Sequence, residues 1–119
     1  MGPPEQAPQA SLRASGVMMD GENAIKLEHQ GGDAVYLDAT HTKVLIDGTT
    51  ATTVLANADT EAFDAGEFVY LFNVSGVYYI DTLNTTDTKD PLATSGDSVN
   101  VKIVDVSSQQ MIADLQVNF

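Results

Sequence analysis

Ala65-Gly66-Glu67-Phe68-Val69-Tyr70-Leu71 and Ser95-Gly96-Asp97-Ser98-Val99-Asn100-Val101 share one plan, and that plan decides the fold. Each sets a small residue, a glycine and an acid ahead of a β-rich alternation. A Gly-acid pair is turn chemistry, and the alternation after it is strand chemistry. Outward from these two segments the period stays close to two. Val77-Tyr78-Tyr79-Ile80 follows the first through Ser75-Gly76. Val99, Val101 and Ile103 make one face of a long strand in the second. Ser107-Ser108-Gln109-Gln110 then turns the chain, and Met111 to Phe119 returns with Ile112, Leu115, Val117 and Phe119 facing inward. The change of phase between Ile112 and Leu115 predicts a bulge near Ala113.

Toward the N-terminus, Ile25, Leu27 and His29 share a face of one strand, which Gly31-Gly32-Asp33 interrupts. Val35 and Leu37 read as a further short strand, and Lys43 to Ile46 as another, ended by Asp47-Gly48. Ala51 to Ala56 alternates again, and Asn57 to Asp64 has the only helical leaning. Residues 1–10 hold three of the four prolines and read as a linker, with a single domain over 11–119. About eight short strands without a convincing helix predict an all-β protein. Its expected form is an immunoglobulin-like two-sheet β-sandwich of seven to nine antiparallel strands.

Composition narrows the function. There are 119 residues, no cysteine, 5 Lys plus Arg and 17 Asp plus Glu, for a net charge of -12. Disulfides, thiolate metal sites and cysteine nucleophiles are excluded. The charge disfavours nucleic acid and anionic membrane surfaces. A hydrophobic content of 43% is too high for a disordered acidic tail. No stretch is apolar enough to span a bilayer, and no secretory leader is present.

Catalytic signals are sparse. His29 and His41 are the only histidines, both read as strand residues, with His29 expected at a sheet edge. No nucleophile elbow, zinc-protease pair or phosphate-cradling loop occurs. No enzyme and no cofactor are expected. Asp81, Asn84, Asp87 and Asp90 recur every third residue and could offer oxygens to calcium. The spacing is not that of an EF-hand and Lys89 sits among the acids, so a plain polar loop is the preferred reading. Asn73-Val74-Ser75 and Asn84-Thr85-Thr86 match the N-glycosylation acceptor, with Asn84 on the more exposed segment. Phe68, Tyr70 and Phe72 alternate with Val69 and Leu71, so both faces of that strand are apolar. The outward one could pack on a neighbouring subunit.

His29-Gln30-Gly31-Gly32-Asp33, leading into Ala34-Val35-Tyr36-Leu37, resembles a segment of the archaeal type IV pilins. Gly96-Asp97-Ser98-Val99-Asn100-Val101-Lys102-Ile103, with a final strand ending at Phe119, is similar to their C-terminal strand. The resemblance covers roughly residues 11–119. It implies a non-enzymatic subunit of a surface filament, extracellular and archaeal, with family-motif positions His29, Gly31, Gly32, Asp33, Gly96 and Asp97. In that family an N-terminal hydrophobic helix, freed by a prepilin peptidase, anchors the precursor in the membrane and then forms the filament core. A β domain coats the outside. Leader and helix are expected upstream of this sequence, with the proline-rich start as the joint. Partners would be other pilin subunits, through that helix, and the isolated head is expected to be a monomer. The alternative from another class is a carbohydrate- or protein-binding β-sandwich module of a larger cell-surface protein.

Overall fold

The computed structural model describes residues 9–19, 21–38, 40–53, 62–81 and 90–119. Among these residues nine strands run β1 (Ala10–Met19), β2 (Glu22–Gly32), β3 (Thr42–Ile46), β4 (Thr49–Thr50), β5 (Thr52–Thr53), β6 (Phe68–Val74), β7 (Val77–Asp81), β8 (Ser98–Asp105) and β9 (Met111–Asn118). They form one sheet of order β1-β2-β6-β7-β5 and a second of order β4-β3-β8-β9. No helix occurs among the described residues, and the chain is the all-β two-sheet sandwich its alternation predicts. Pairing is antiparallel throughout, apart from β5, which lies parallel to β7 with Thr52 opposite Tyr79.

The likeness to an immunoglobulin domain holds in the broad sense. β1, β2 and β6 occupy the places of strands A, B and E, and β3, β8 and β9 those of C, F and G. The place beside β6 is filled by β7. That strand follows β6 through a hairpin, whereas strand D of an immunoglobulin precedes E.

The alternating residues meet between the sheets. Ile25 and Leu27 of β2, Val69 and Leu71 of β6 and Ile80 of β7 pack with Val44 and Ile46 of β3 and with Val99, Val101 and Ile103 of β8. Each such side chain, fully removed from water, contributes about 2 kcal/mol. The bulge near Ala113 is present: Ile103 faces Ala113 and Val104 faces Met111, leaving Ile112 as the extra residue. A second bulge lies between β1 and β2, where Ser11 faces Gly31 and Leu12 faces His29, so Gln30 is extra.

Several local expectations change. Val35 and Leu37 are buried, but Val35 makes only an isolated bridge to Phe63 rather than a strand. His41 lies in the turn before β3, not on a strand. Of the strand expected over residues 51–56, Thr52 and Thr53 form β5, and residues 54–56 lie outside the described residues. Residues 54–61, which hold most of the helical leaning, lie outside the described residues. Phe63 itself is in the bridge to Val35. Residues 1–8 of the expected linker also lie outside the described residues, and Ala10, its last residue, opens β1 instead.

The two Gly-acid segments fold alike. Glu67 N–H donates to the Asp64 carbonyl at 3.0 Å, and Asp97 N–H to the Thr94 carbonyl at 3.0 Å. The third residue of each turn has positive φ, 89° at Gly66 and 94° at Gly96, a conformation that only glycine adopts without steric cost. In both, the acid's carboxylate reaches back to the first residue's N–H: Glu67 Oε1 to Asp64 at 2.6 Å and Asp97 Oδ2 to Thr94 at 3.0 Å. Each turn then docks on a strand end by the same two bonds. Gly66 N–H donates to the His29 carbonyl and His29 N–H to Glu67; Gly96 N–H donates to the Phe119 carbonyl and Phe119 N–H to Asp97.

The Thr94 hydroxyl also donates to Asp97 Oδ2 at 2.7 Å. Together with the Thr94 N–H it holds the Asp97 carboxyl below its usual 3.8. A folded-state pKa below the unfolded one gives stability that is complete above the unfolded value and is lost as pH falls through the folded value. Asp97→Asn is therefore expected to melt lower than wild type near neutral pH. The gap in Tm should close as both are acidified from 3.8 downward through the lowered value of the folded state. Thermal melts from neutral pH into acid check this, and a gap independent of pH would refute it.

Candidate functional site

The His29–Asp33 segment sits where the chain leaves the first sheet for the second. His29 is 1% exposed. β2 lies between β1 and β6, so His29 is interior to its sheet and not at an edge as the sequence suggests. On one side it faces Leu12 of β1, and on the other its backbone holds the turn at Gly66 and Glu67. Its ring uses both nitrogens. Nε2 lies 2.8 Å from the Asp33 carbonyl oxygen, and Nδ1 accepts the Gly31 N–H at 3.3 Å. The neutral tautomer that donates from Nε2 satisfies both contacts. Phe63 meets the imidazole edge-on, with centroids 5.3 Å apart.

The glycines and Asp33 complete a tight loop over that ring. Asp33 N–H donates to the Gln9 carbonyl at 2.8 Å, and Gln9 N–H donates to Asp33 Oδ2 at 2.9 Å. A Cβ on Gly32 would lie 2.3 Å from the Gln9 carbonyl oxygen and 3.0 Å from Ala10 Cα. Only glycine admits that approach of backbone to backbone. Gly96 and Asp97, the other motif pair, stand with Phe119 in the second turn described above.

Sequence reasoning found His29 and Asp33 but neither Gln9 nor Phe63, which complete their surroundings. Gln9 precedes Asp33 by 24 residues, and no local pattern joins them. His41 is exposed, and its Nδ1 lies 2.7 Å from Asp38 Oδ1. Thr40 Oγ1 donates to the other Asp38 oxygen. Burial pushes the Asp38 carboxyl up, but the bonds from Thr40 and His41 and the His41 charge outweigh it and hold the group below its usual value. This trio orders the loop ahead of β3. No group of three or more His, Asp or Glu suited to a metal occurs among the described residues.

Of the calcium candidates, Asn84 and Asp87 lie outside the described residues, as does the acceptor Asn84. Asp81 ends β7 opposite Tyr70. The Asp90 carboxylate accepts the Ser75 N–H at 2.7 Å. Asn73, the other glycan acceptor, is half-buried. Its Nδ2, the atom a glycan would occupy, donates to the Pro91 carbonyl at 3.1 Å, and its Oδ1 accepts the Gly76 N–H at 3.0 Å. Asn73 thus has a complete role in the β6–β7 turn.

The outer face of the first sheet is apolar, as the alternation of Phe68, Tyr70 and Phe72 predicts. Phe72 packs with Met19 and Ala24 in a second small cluster flanked by Tyr70 and Tyr79. Phe68 remains 43% exposed, with the Lys26 ammonium 4.4 Å from its ring centroid and Tyr70 edge-on at 5.6 Å. The second sheet's outer face is polar by contrast: Ser98 donates to Asn118 and Asn100 to Asp114 across the strands.

His29→Leu keeps the bulk of the ring and removes both its bonds, leaving the part-buried Asp33 carbonyl and Gly31 N–H without that partner. A loss of about 3 kcal/mol is expected, seen as a lower urea midpoint with an unchanged m-value. A variant within about 0.5 kcal/mol of wild type would show that the imidazole bonds carry no net stability. The chain matches no protein-family model, no curated protein and no solved structure.

Proposed function

We propose that the chain is the globular head of a type IV pilin-like subunit, a non-enzymatic structural component of an archaeal surface filament. The observation that carries this reading is the pair of segments His29–Asp33 and Gly96–Ile103, which resemble pilin segments in residue type, order and spacing. Both are turn-and-strand elements on which the sandwich is built. The described chain begins at Gln9, beside the Gly32 end of β2, and ends at Phe119, beside the Gly96 turn. A head carried on an N-terminal helix would be held at the first point. In the filament the head faces outward and supports adhesion or packing against neighbouring heads. Its net charge of -12 keeps such a surface solvated and discourages unspecific association.

The outer face around Phe68, Tyr70 and Tyr79 supports a second reading, a carbohydrate- or protein-binding module of a larger surface protein. An exposed aromatic beside a cation is suited to stacking against a sugar ring or an apolar side chain.

The genomic sequence upstream of Met1 separates the two. The filament reading expects a short basic leader and then one apolar helix of about 20 residues, running directly into Pro3. Processed full-length protein should assemble into filaments visible by negative-stain microscopy, while the 119-residue chain sediments as a monomer. A long multidomain reading frame without that helix overturns it. Affinity for glycans that is lost on Phe68→Ala would then favour the module.

A further inference from the structure

We infer that the His29–Asp33 segment is a clamp on the incoming chain, fixing where and in which direction the polypeptide joins the sandwich. Its working parts lie on both sides of one loop. From within, the His29 imidazole holds the Asp33 carbonyl and the Gly31 N–H. From without, the Gln9 backbone lies against Gly32, so close that a single methyl group would meet its carbonyl oxygen at 2.3 Å. Two bonds then lock it. Gln9 donates to the Asp33 carboxylate at 2.9 Å, and Asp33 donates to the Gln9 carbonyl at 2.8 Å.

The position gives these bonds their purpose. β1 is the outermost strand of its sheet, paired through its ladder to β2 alone. The ladder's first pair is Ala10 with Gly32. The clamp sits one residue ahead of it, where an edge strand would otherwise begin to fray. One of the two bonds is charge-assisted, the stronger kind. His29 ties the loop to three elements at once, through its backbone to β1 and the turn before β6 and through its ring to Phe63. A pull or a twist arriving at Gln9 is therefore passed to the centre of the first sheet and is not absorbed by peeling β1. On the filament reading, which supplies the upstream helix, this clamp sets the orientation of the head on its stalk.

Trypsin reports the opening of β1 directly, because Arg13 is exposed within that strand and opposite Glu28. Asp33→Ala removes the carboxylate, Gly32→Ala forces the backbones apart, and Thr49→Ala, exposed on β4 of the other sheet, serves as a control. Under native conditions, cleavage after Arg13 should accelerate about tenfold in the first two variants and remain at the wild-type rate in the control. Native-state hydrogen exchange on the wild-type chain provides a second arm that needs no variant. There the Gln9 and Asp33 amides should exchange as slowly as the β1–β2 ladder amides. Unprotected Gln9 and Asp33 amides, or a folded Asp33→Ala cut after Arg13 no faster than wild type, overturn the clamp. Neither result bears on the filament reading, which stands or falls on the upstream gene sequence.

Discussion

A single buried imidazole carries more of this architecture than any other polar group. His29 has its backbone in the first sheet between β1 and the Gly66 turn, and its ring beneath the loop by which the chain leaves that sheet. Two glycines in that loop make it entropically costly to fix. The ring's two bonds and the edge contact with Phe63 oppose that cost. The crossover to β3 therefore starts from a fixed point. Val35 continues it through its paired bonds with Phe63, and Thr42 Oγ1 donates to the Tyr36 carbonyl at the far end.

The register of both sheets depends on the two matching turns. β6 and β8 each begin directly after a glycine-acid turn docked on a neighbouring strand end. Docking fixes which residue comes first, and with period two the first residue fixes the face of every later one. Val69 and Leu71 are directed inward in this way, as are Val99, Val101 and Ile103. A slip by one residue would expose those side chains and bury Tyr70 or Asn100 and Lys102 in their place.

Alternation made the face of each residue legible from sequence, and with it the sandwich, most of the core and the bulge at Ile112. It says nothing about which strands become neighbours, because that is set by contacts far apart in the chain. This is why His29 reads as an edge residue although β6 pairs beyond it, and why the Gln9–Asp33 lock left no local trace. β1 is faint for a different reason. Its inward positions include Ala14 and Gly16, too small to mark a face, and Gly16 leaves room for the Phe119 ring at the end of the chain. The parallel pairing of β5 rests on two threonines, a stretch too short for any period to register. Of the site itself, the motif residues were legible as types in order. Their partners were not.

The acidity of the chain also takes on structural meaning. With 17 acids and 5 bases, few carboxylates can find an ammonium or guanidinium, and Lys26 with Glu28 is the only such Lys or Arg pair among the described residues. Six of the other acids turn to the backbone. Asp33, Asp47, Glu67, Asp90, Asp97 and Asp105 each accept a main-chain N–H, from Gln9, Asn100, Asp64, Ser75, Thr94 and Ser108 respectively. A peptide dipole at hydrogen-bond distance is a short-range partner that salt screens far less than a distant charge. The long-range repulsion among the same acids is what salt does screen. The same residues thus play two opposed parts: as charges they repel one another across the surface, and as acceptors they close the turns that start β6, β8 and the clamp at Gln9. Replacing them with apolar residues would relieve the repulsion and remove the turn bonds together, whereas an amide in their place keeps an acceptor oxygen and gives up the charge that strengthens the bond.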